Sequence, residues 1–302
     1  MKRVVSISIG SSKRDHRVQV ELLGQPVQIE RVGTDGDIAK AAQLYAELDG
    51  QVDAFGVGGT DVGLRVAGRY YSFPQMQRMV AGAKRTPVVD GGGLKHTLER
   101  RAMQFVEQHI GEHISPKTCL ATSAIDRYGL AQSAFEAGYR VVIGDLMFSL
   151  GLPFPLHSLK TVRVLARVLM PVFTRLPFEW IYPTGDKQSE VTPKWIKYYR
   201  WASVIAGDFH YVKRHMPEGM DGKVVVTNTT TPDDVQFLRR RGIAYLVTTT
   251  PRFEGRSFGT NVMEATLVAL AGRGRPLTEQ EIQEMLVQLD YTPTIEKLEG
   301  ER

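Results

Sequence analysis

The chain has 302 residues, of which 42% are hydrophobic and 24% charged, and its formal net charge is +5. This length and composition predict a globular protein with two domains, and the single cysteine, Cys119, excludes an internal disulfide framework. The start MKRVVSISIG has no cleavable apolar segment, and the longest apolar helix, 162–173, is too short to span a bilayer. We therefore expect a cytoplasmic protein.

The first part of the chain mixes predicted strands with predicted helices. The strands are 3–10, 17–23, 26–32, 52–57 and 87–89, with a hairpin at 64–73. The helices are 38–48, one that begins at Pro74, and 94–110. A boundary at 111–116 assigns residues 1–113 to an N-terminal α/β substrate domain.

The second part begins with a β-α-β unit, in which strands 118–123 and 140–144 flank a helix that ends at Gly138. Four further strands are predicted at 178–182, 203–206, 223–226 and 244–247, separated by helices such as 159–173, 194–201 and the one that starts at Thr231. Helices at 262–271, with Asn261 and Glu264 as a capping box, and at 278–289 follow. This alternation predicts a Rossmann-like doubly wound parallel sheet over 114–291, before a polar tail at 292–302.

Ligands of such sheets bind beyond the carboxyl ends of the strands. The residues at the predicted strand ends are Ser123, Asp145, Thr184, Gly207-Asp208, Thr227 to Thr229 and Thr248 to Thr250, and they carry hydroxyls, amides and acids rather than apolar side chains. An acid about 20 residues past the first turn is where a dinucleotide fold holds ribose hydroxyls, which suits Asp145. Of the glycine fingerprint only Gly129 is present, and Asp126 stands where a pyrophosphate would approach. The predicted cofactor-binding residues are Ser123, Gly129, Asp145, Asp208, Thr227, Asn228 and Thr249, and Asp145 favours NAD over NADP because it would repel a 2′-phosphate.

Four stretches carry a resemblance to a known family: ERVGTDGD (30–37), GVGGTDVGL (56–64), PVVDGGGLKHTLER (87–100) and VVIGDLMFSLGLP (141–153). They resemble bacterial quinate 5-dehydrogenase-like chains of the shikimate and quinate dehydrogenase group. The resemblance implies an NAD(P)-dependent oxidoreductase that acts on a small hydroxylated carboxylic acid. The chain departs from shikimate dehydrogenases in its missing glycine-rich loop and in the positions of Lys95 and Asp61.

The resemblance also implies a lysine–aspartate pair that takes the proton of a substrate hydroxyl. Lys95 begins a predicted helix behind three glycines, and Asp61 and Asp90 each follow a strand and could pair with it; a solvated surface lysine is the alternative. Asp208 and His210 form a second candidate pair, provided that the segment is extended. His109 and His113 have metal-ligand spacing, but no third ligand is near, so we predict no metal site.

Three functions stay open at this stage. The first is the oxidoreductase, and the second is a non-catalytic nucleotide- or small-ligand-binding protein with a degenerate Rossmann fold. The third is a nucleic-acid-associated protein, which only the pI of about 9.2 suggests. We expect a small anionic substrate and neither a membrane nor a nucleic acid as partner, and a homo-oligomer stays open.

Overall fold

The computed structural model describes residues 1–176, 191–250 and 259–298, together with the backbone of 252–253 and 256–257. The strands are β1 (Lys2–Ser8), β2 (His16–Leu22), β3 (Gln25–Gly33), β4 (Ala54–Gly58), β5 (Gly63–Val66), β6 (Arg69–Ser72), β7 (Val88–Val89), β8 (Thr118–Ala121), β9 (Arg140–Ile143), β10 (Val204–Ala206), β11 (Val224–Thr227), β12 (Tyr245–Thr248), β13 (Arg252–Phe253), β14 (Arg256–Ser257) and β15 (Thr294–Lys297). The helices are α1 (Ile38–Glu47), α2 (Pro74–Val80), α3 (Gly92–Thr97), α4 (Ala102–Ile110), α5 (Tyr128–Glu136), α6 (Asp145–Leu150), α7 (Leu159–Phe173), α8 (Ile196–Trp201), α9 (Phe209–His215), α10 (Pro232–Arg240), α11 (Thr260–Ala271) and α12 (Glu279–Gln288). Short 3-10 turns cover Ser12–Arg14, Glu99–Arg101 and Gly111–His113.

The chain forms two compact units. The first contains Met1–Leu94, the described part of 168–188, and Gly259–Tyr291. The second contains Lys95–Arg167 and the described parts of 189–258 and 292–302. The division of the sequence into 1–113, 114–291 and 292–302 follows the chain continuously, whereas each compact unit combines segments that are distant in the sequence.

The first unit is built on a five-stranded sheet with the order β2-β3-β1-β4-β7. Strand β1 pairs in parallel with β3 and β4, while β2 and β3 form an antiparallel hairpin. Helix α11 packs on β1 and β4, and Gly56 allows this because a Cβ there would lie 3.0 Å from the Asn261 carbonyl oxygen. The side-chain amide of Asn261 donates to Ser6 Oγ at 2.8 Å.

The capping box predicted from Asn261 and Glu264 is wrong. Helix α11 begins at Thr260 and follows Gly259, which makes no side-chain capping bond. Glu264 instead accepts a hydrogen bond from the backbone amide of Gly93 at 2.9 Å. Both polar side chains of the predicted cap therefore bind other segments of the first unit.

The second unit is built on a six-stranded sheet with the order β15-β12-β11-β10-β8-β9. All neighbours are parallel except β15, which runs antiparallel to β12. The predicted α/β fold class, with parallel sheets in two domains, is thus confirmed. Strand β8 lies next to the edge strand β9, and β15 lies within the predicted polar tail. The strand predicted at 178–182, with Thr184 at its end, lies outside the described residues.

Three predicted segments differ from the structure. The helix predicted at 94–110 is divided into α3, a 3-10 turn and α4, and the backbone amide of Met103, in the first turn of α4, donates to Ser133 Oγ at 2.8 Å. The helix predicted at 194–201 begins only at Ile196, since Trp195 has a left-handed backbone with φ 57°. The segment after Asp208 forms helix α9 instead of the extended chain that the pairing with His210 required.

Among the described residues, the structure contains no helix whose length and apolar character would allow it to cross a membrane.

Candidate functional site

The second sheet has a topological switch point between β8 and β10, because β9 lies on one side of β8 and the later parallel strands lie on the other. The carboxyl ends of β8 and β10 meet there, at Thr122 and Gly207. Gly207 has φ 153°, and a Cβ at this position would lie 1.9 Å from Thr122 Oγ1. Only glycine fits, so the two strand ends approach each other closely.

Hydroxyl groups line the neighbouring strand ends of the second sheet. Thr227 and Thr250 bond to Asn228, the first through Asn228 Oδ1 at 3.1 Å and the second through its carbonyl oxygen at 2.5 Å. Thr248 and Thr249 are 1% and 0% exposed, and neither of their Oγ1 atoms has a hydrogen-bond partner. Two buried hydroxyls at the end of β12 therefore keep their full hydrogen-bonding capacity.

Asp145 closes the loop that follows β8. Its carboxylate accepts hydrogen bonds from the backbone amides of Ala124 at 2.9 Å and Ile125 at 2.8 Å, and from Ser123 Oγ at 3.4 Å. The side chain is buried, and burial raises the pKa of Asp145 to about 6 despite these bonds. The Asp145 carboxylate, predicted to accept from ribose hydroxyls, thus accepts from the backbone of the loop that follows β8.

Arg127 is the centre of a buried charge cluster at the same edge. Its guanidinium bonds to the carboxylate of Glu99 and, at 2.8 Å, to that of Asp208, and its Nε lies 3.5 Å from Asp126. Burial opposes the charge on Arg127, but the three carboxylates outweigh it and raise its pKa. Burial likewise raises the pKa of Glu99. For Asp208 burial is the largest single effect, but the charges of Arg127 and His210 and the hydrogen bonds to the carboxylate together outweigh it and lower the pKa.

This charge cluster could have been inferred from the sequence, because Glu99 is an acid at a position where a buried apolar residue is expected. Glu99 is the one acid on an apolar stripe with Leu98, Ala102 and Val106, which are all buried. A charge at such a position is rarely buried without a partner. Arg127, one residue before the start of α5 at the switch point, is the partner that the sequence analysis missed.

Lys95 belongs to the second unit and is 6% exposed. Its ammonium donates to Asp126 Oδ1 at 2.7 Å, so the alternative of a solvated surface lysine is wrong. Asp61 and Asp90 belong to the first unit. The Asp90 carboxylate accepts from the backbone amides of Val62, Gly63 and Gly92, which fixes the loops after β4 and β7.

The other predicted site residues have local roles. Asp208 caps α9 by accepting from the backbone amide of His210 at 3.0 Å, and the His210 side chain is exposed. Gly129 lets α5 approach α3, since a Cβ there would lie 2.5 Å from the Lys95 carbonyl oxygen. His109 Nδ1 lies 2.8 Å from the Phe105 carbonyl oxygen, and no group of three or more potential metal ligands occurs in the described part of the chain.

Family models cover most of the sequence. One described as a domain of unknown function, DUF8754, matches residues 93–298, about two thirds of the chain. The chain belongs to the DUF8754 family. In this DUF8754 protein, a second model described as a domain of unknown function, DUF8753, matches residues 3–90. No curated protein matches the chain.

Solved structures similar to this DUF8754 protein include solute-binding proteins of ABC transporters. One from Actinobacillus succinogenes with bound D-allose is 11% identical over 98% of each chain, with a TM-score of 0.40. One from Burkholderia graminis in complex with D-arabinose is 11% identical over 98% of this chain and 95% of that chain, also with a TM-score of 0.40. A glucose-galactose binding protein from Geobacillus stearothermophilus is 10% identical, covers 98% and 97%, and has a TM-score of 0.38. At these TM-scores the resemblance extends to neither ligand nor function.

The resemblance to quinate and shikimate dehydrogenases is wrong, since the family models that match the chain are those of DUF8754 and DUF8753. The predicted NAD(P)-dependent oxidoreductase and its NAD cofactor are wrong with it. The local geometry agrees with this correction: Asp145 is bound to the loop that follows β8, and Asp126 and Arg127 occupy the turn predicted to hold a pyrophosphate.

Proposed function

We propose that this DUF8754 protein binds a small neutral polyhydroxylated molecule at the carboxyl edge of its second sheet. The observation that carries this proposal is the pair of buried hydroxyls of Thr248 and Thr249, which have no hydrogen-bond partner. A buried polar group without a partner costs about 1–3 kcal/mol. A ligand hydroxyl can both donate and accept hydrogen bonds, so it would recover this energy.

The charges at this edge favour a neutral ligand over the small anionic substrate expected from the net charge. Two cations whose side chains the structure describes near this edge are already paired within the protein, Arg127 with Glu99 and Asp208, and Lys95 with Asp126. An anion would therefore meet carboxylates whose counter-charges are engaged, and a phosphate would lack the backbone amides that a glycine-rich loop supplies.

The position of the site supports the same conclusion. The unpartnered hydroxyls lie at the carboxyl end of β12, on the edge where open α/β sheets bind their ligands. The side-chain amide of Asn228 lies at the same edge and donates a hydrogen bond to Asp208 Oδ2 at 3.2 Å. Hydroxyl and amide groups next to an ionised carboxylate can recognise several hydroxyls of one small molecule.

The test is a thermal-shift screen with monosaccharides and sugar alcohols, with nucleotides as counter-probes, followed by calorimetry. A ligand at about 100 times its Kd should add roughly 2.7 kcal/mol to the free energy of unfolding. Thr249→Val removes one unpartnered hydroxyl with little change in shape. We expect about a tenfold loss of affinity, together with equal or higher stability of the free protein.

The matched control is Thr118→Val at the opposite end of β8. Thr118 Oγ1 lies 3.0 Å from the Trp201 carbonyl oxygen and 2.9 Å from the Ser203 amide nitrogen, so this variant should lose about 1 kcal/mol of stability and keep its affinity. Binding of nucleotides but of no neutral polyol would refute the proposal. Unchanged affinity in Thr249→Val would place the ligand elsewhere. The cytoplasmic location and the oligomeric state stay predictions.

A further inference from the structure

One segment of the chain combines exposed apolar side chains with positive charge. From Leu146 to Leu176 the sequence contains no aspartate or glutamate, whereas four cations occur in it: Lys160, Arg163, Arg167 and Arg175. Twelve large hydrophobic side chains are exposed among the described residues. Seven of them lie in this segment: Leu150, Leu152, Phe154, Val164, Val168, Leu169 and Val172. We refer to residues 150–175 as the basic-apolar segment.

Helix α7 shows how this segment is arranged. Its inner stripe, formed by Val162, Ala166 and Met170, is 0–2% exposed. The opposite side carries Val164, Val168 and Val172, spaced four residues apart, which are 57%, 65% and 65% exposed. Residues at this spacing form one ridge along a helix. The exposed ridge is therefore as continuous as the buried stripe that holds the helix in place.

The cations follow the ridge closely. Lys160, Arg163 and Arg167 are exposed on the same helix, and none has an acid within the segment to neutralise it. The loop before the helix adds Leu152 and Phe154, which are 42% and 60% exposed. Leucine and phenylalanine next to lysine and arginine are the residues by which amphipathic segments bind at a lipid interface.

We propose that the basic-apolar segment docks on an anionic membrane surface. The charge decides between the occupants, because a second copy of the chain would place the same cations, which have no acid within their own segment, against each other. Anionic lipids instead attract each cation near the surface. The expectation of no membrane partner was based on the absence of a spanning segment, and docking on a surface does not require one.

The test measures binding of the full chain to vesicles by flotation. One set of vesicles contains phosphatidylcholine alone, and the other contains about one third phosphatidylglycerol. We expect binding to the anionic vesicles only, with a marked decrease between about 0.1 M and 0.5 M salt as the charges become screened. Absence of binding to the anionic vesicles overturns the proposal.

Two variants identify the segment that binds. Arg163→Gln/Arg167→Gln should weaken binding about 30-fold, roughly fivefold for each cation. Val164→Ser/Val168→Ser should weaken binding but keep its salt dependence. Both double variants change exposed side chains only, so their circular dichroism spectra and Tm should match those of the unmodified protein.

The charge-matched control is Lys13→Gln/Arg14→Gln, at exposed positions of the first unit. This variant has the same net charge as the arginine variant and should bind as the unmodified protein does. Equal losses in both would show attraction by net charge alone and would overturn the proposal. A stable dimer that the valine variant dissociates would identify a second copy as the occupant instead.

Discussion

Replacing Arg127 with methionine removes the cation shared by three carboxylates of the second unit. The side chains of Arg127 and Glu99 are 3% and 1% exposed, so Glu99 would become an unpaired buried anion. Removing one partner of a buried ion pair costs about 3–5 kcal/mol. Glu99 can limit this loss of stability by binding a proton and becoming neutral. Protonating a carboxyl group whose ordinary pKa is 4.5 costs about 3 kcal/mol at pH 7.

This cost depends on pH in a defined direction. Burial already raises the pKa of Glu99, and the loss of Arg127 should raise it further, so the folded variant holds its proton more tightly than the unfolded chain does. The stability that this proton confers is fully present below the pKa of Glu99 in the unfolded chain. It is lost as the pH rises from there towards the higher pKa of Glu99 in the folded variant. Because the cost changes by about 1.4 kcal/mol per pH unit, the deficit of Arg127→Met should shrink by about 2 kcal/mol between pH 7 and pH 5.5.

The assay is urea-induced unfolding at both pH values, followed by tryptophan fluorescence. Glu99→Gln in the Arg127→Met background removes the charge but keeps the size, so the double variant should recover about 2 kcal/mol at pH 7. The reasoning is refuted if Arg127→Met loses less than about 1 kcal/mol at pH 7, or if the double variant is no more stable than the single one.

Two further predictions concern the same edge of the second sheet. Burial raises the pKa of Asp145 to about 6 from 3.8, so the folded protein should gain about 3 kcal/mol as the pH falls from above 6 towards 4. Asp145→Asn removes this gain, and an unfolding difference between the two proteins that does not change with pH would contradict the shift. Gly207→Ala would place a Cβ 1.9 Å from Thr122 Oγ1 at φ 153° and should cost more than about 2 kcal/mol. Recovery of a normal Tm in Gly207→Ala would show that the strand ends can separate freely.

The strands of the second sheet could be predicted because parallel strands buried on both faces leave short apolar runs between polar turns. β10 and β11 are such runs, and all their residues are buried. β15 could not be predicted in this way. In its sequence, TIEK, Ile295 is the one apolar residue, and the strand is joined to the sheet through backbone hydrogen bonds with β12.

The site could be predicted in part, because the topology of a parallel sheet brings its strand ends together. Ser123, Asp145 and Asp208 lie at this edge for that reason. Their partners could not be predicted, since the path of each loop decides them. Asp145 binds backbone amides 20 and 21 residues earlier, and Arg127 reaches Glu99 across 28 residues.

The placement of α11 has a consequence for synthesis on the ribosome. This helix packs on β1 and β4, yet its last residue, Ala271, emerges more than 200 residues after β4 ends at Gly58. At about 5–20 residues per second the nascent sheet of the first unit would wait roughly 10–40 s for this helix. During that interval the face of β1 and β4 that α11 will cover stays open to chaperones and to other nascent chains. A translational pause before residue 271 should therefore lower the yield of folded protein more than a pause after it.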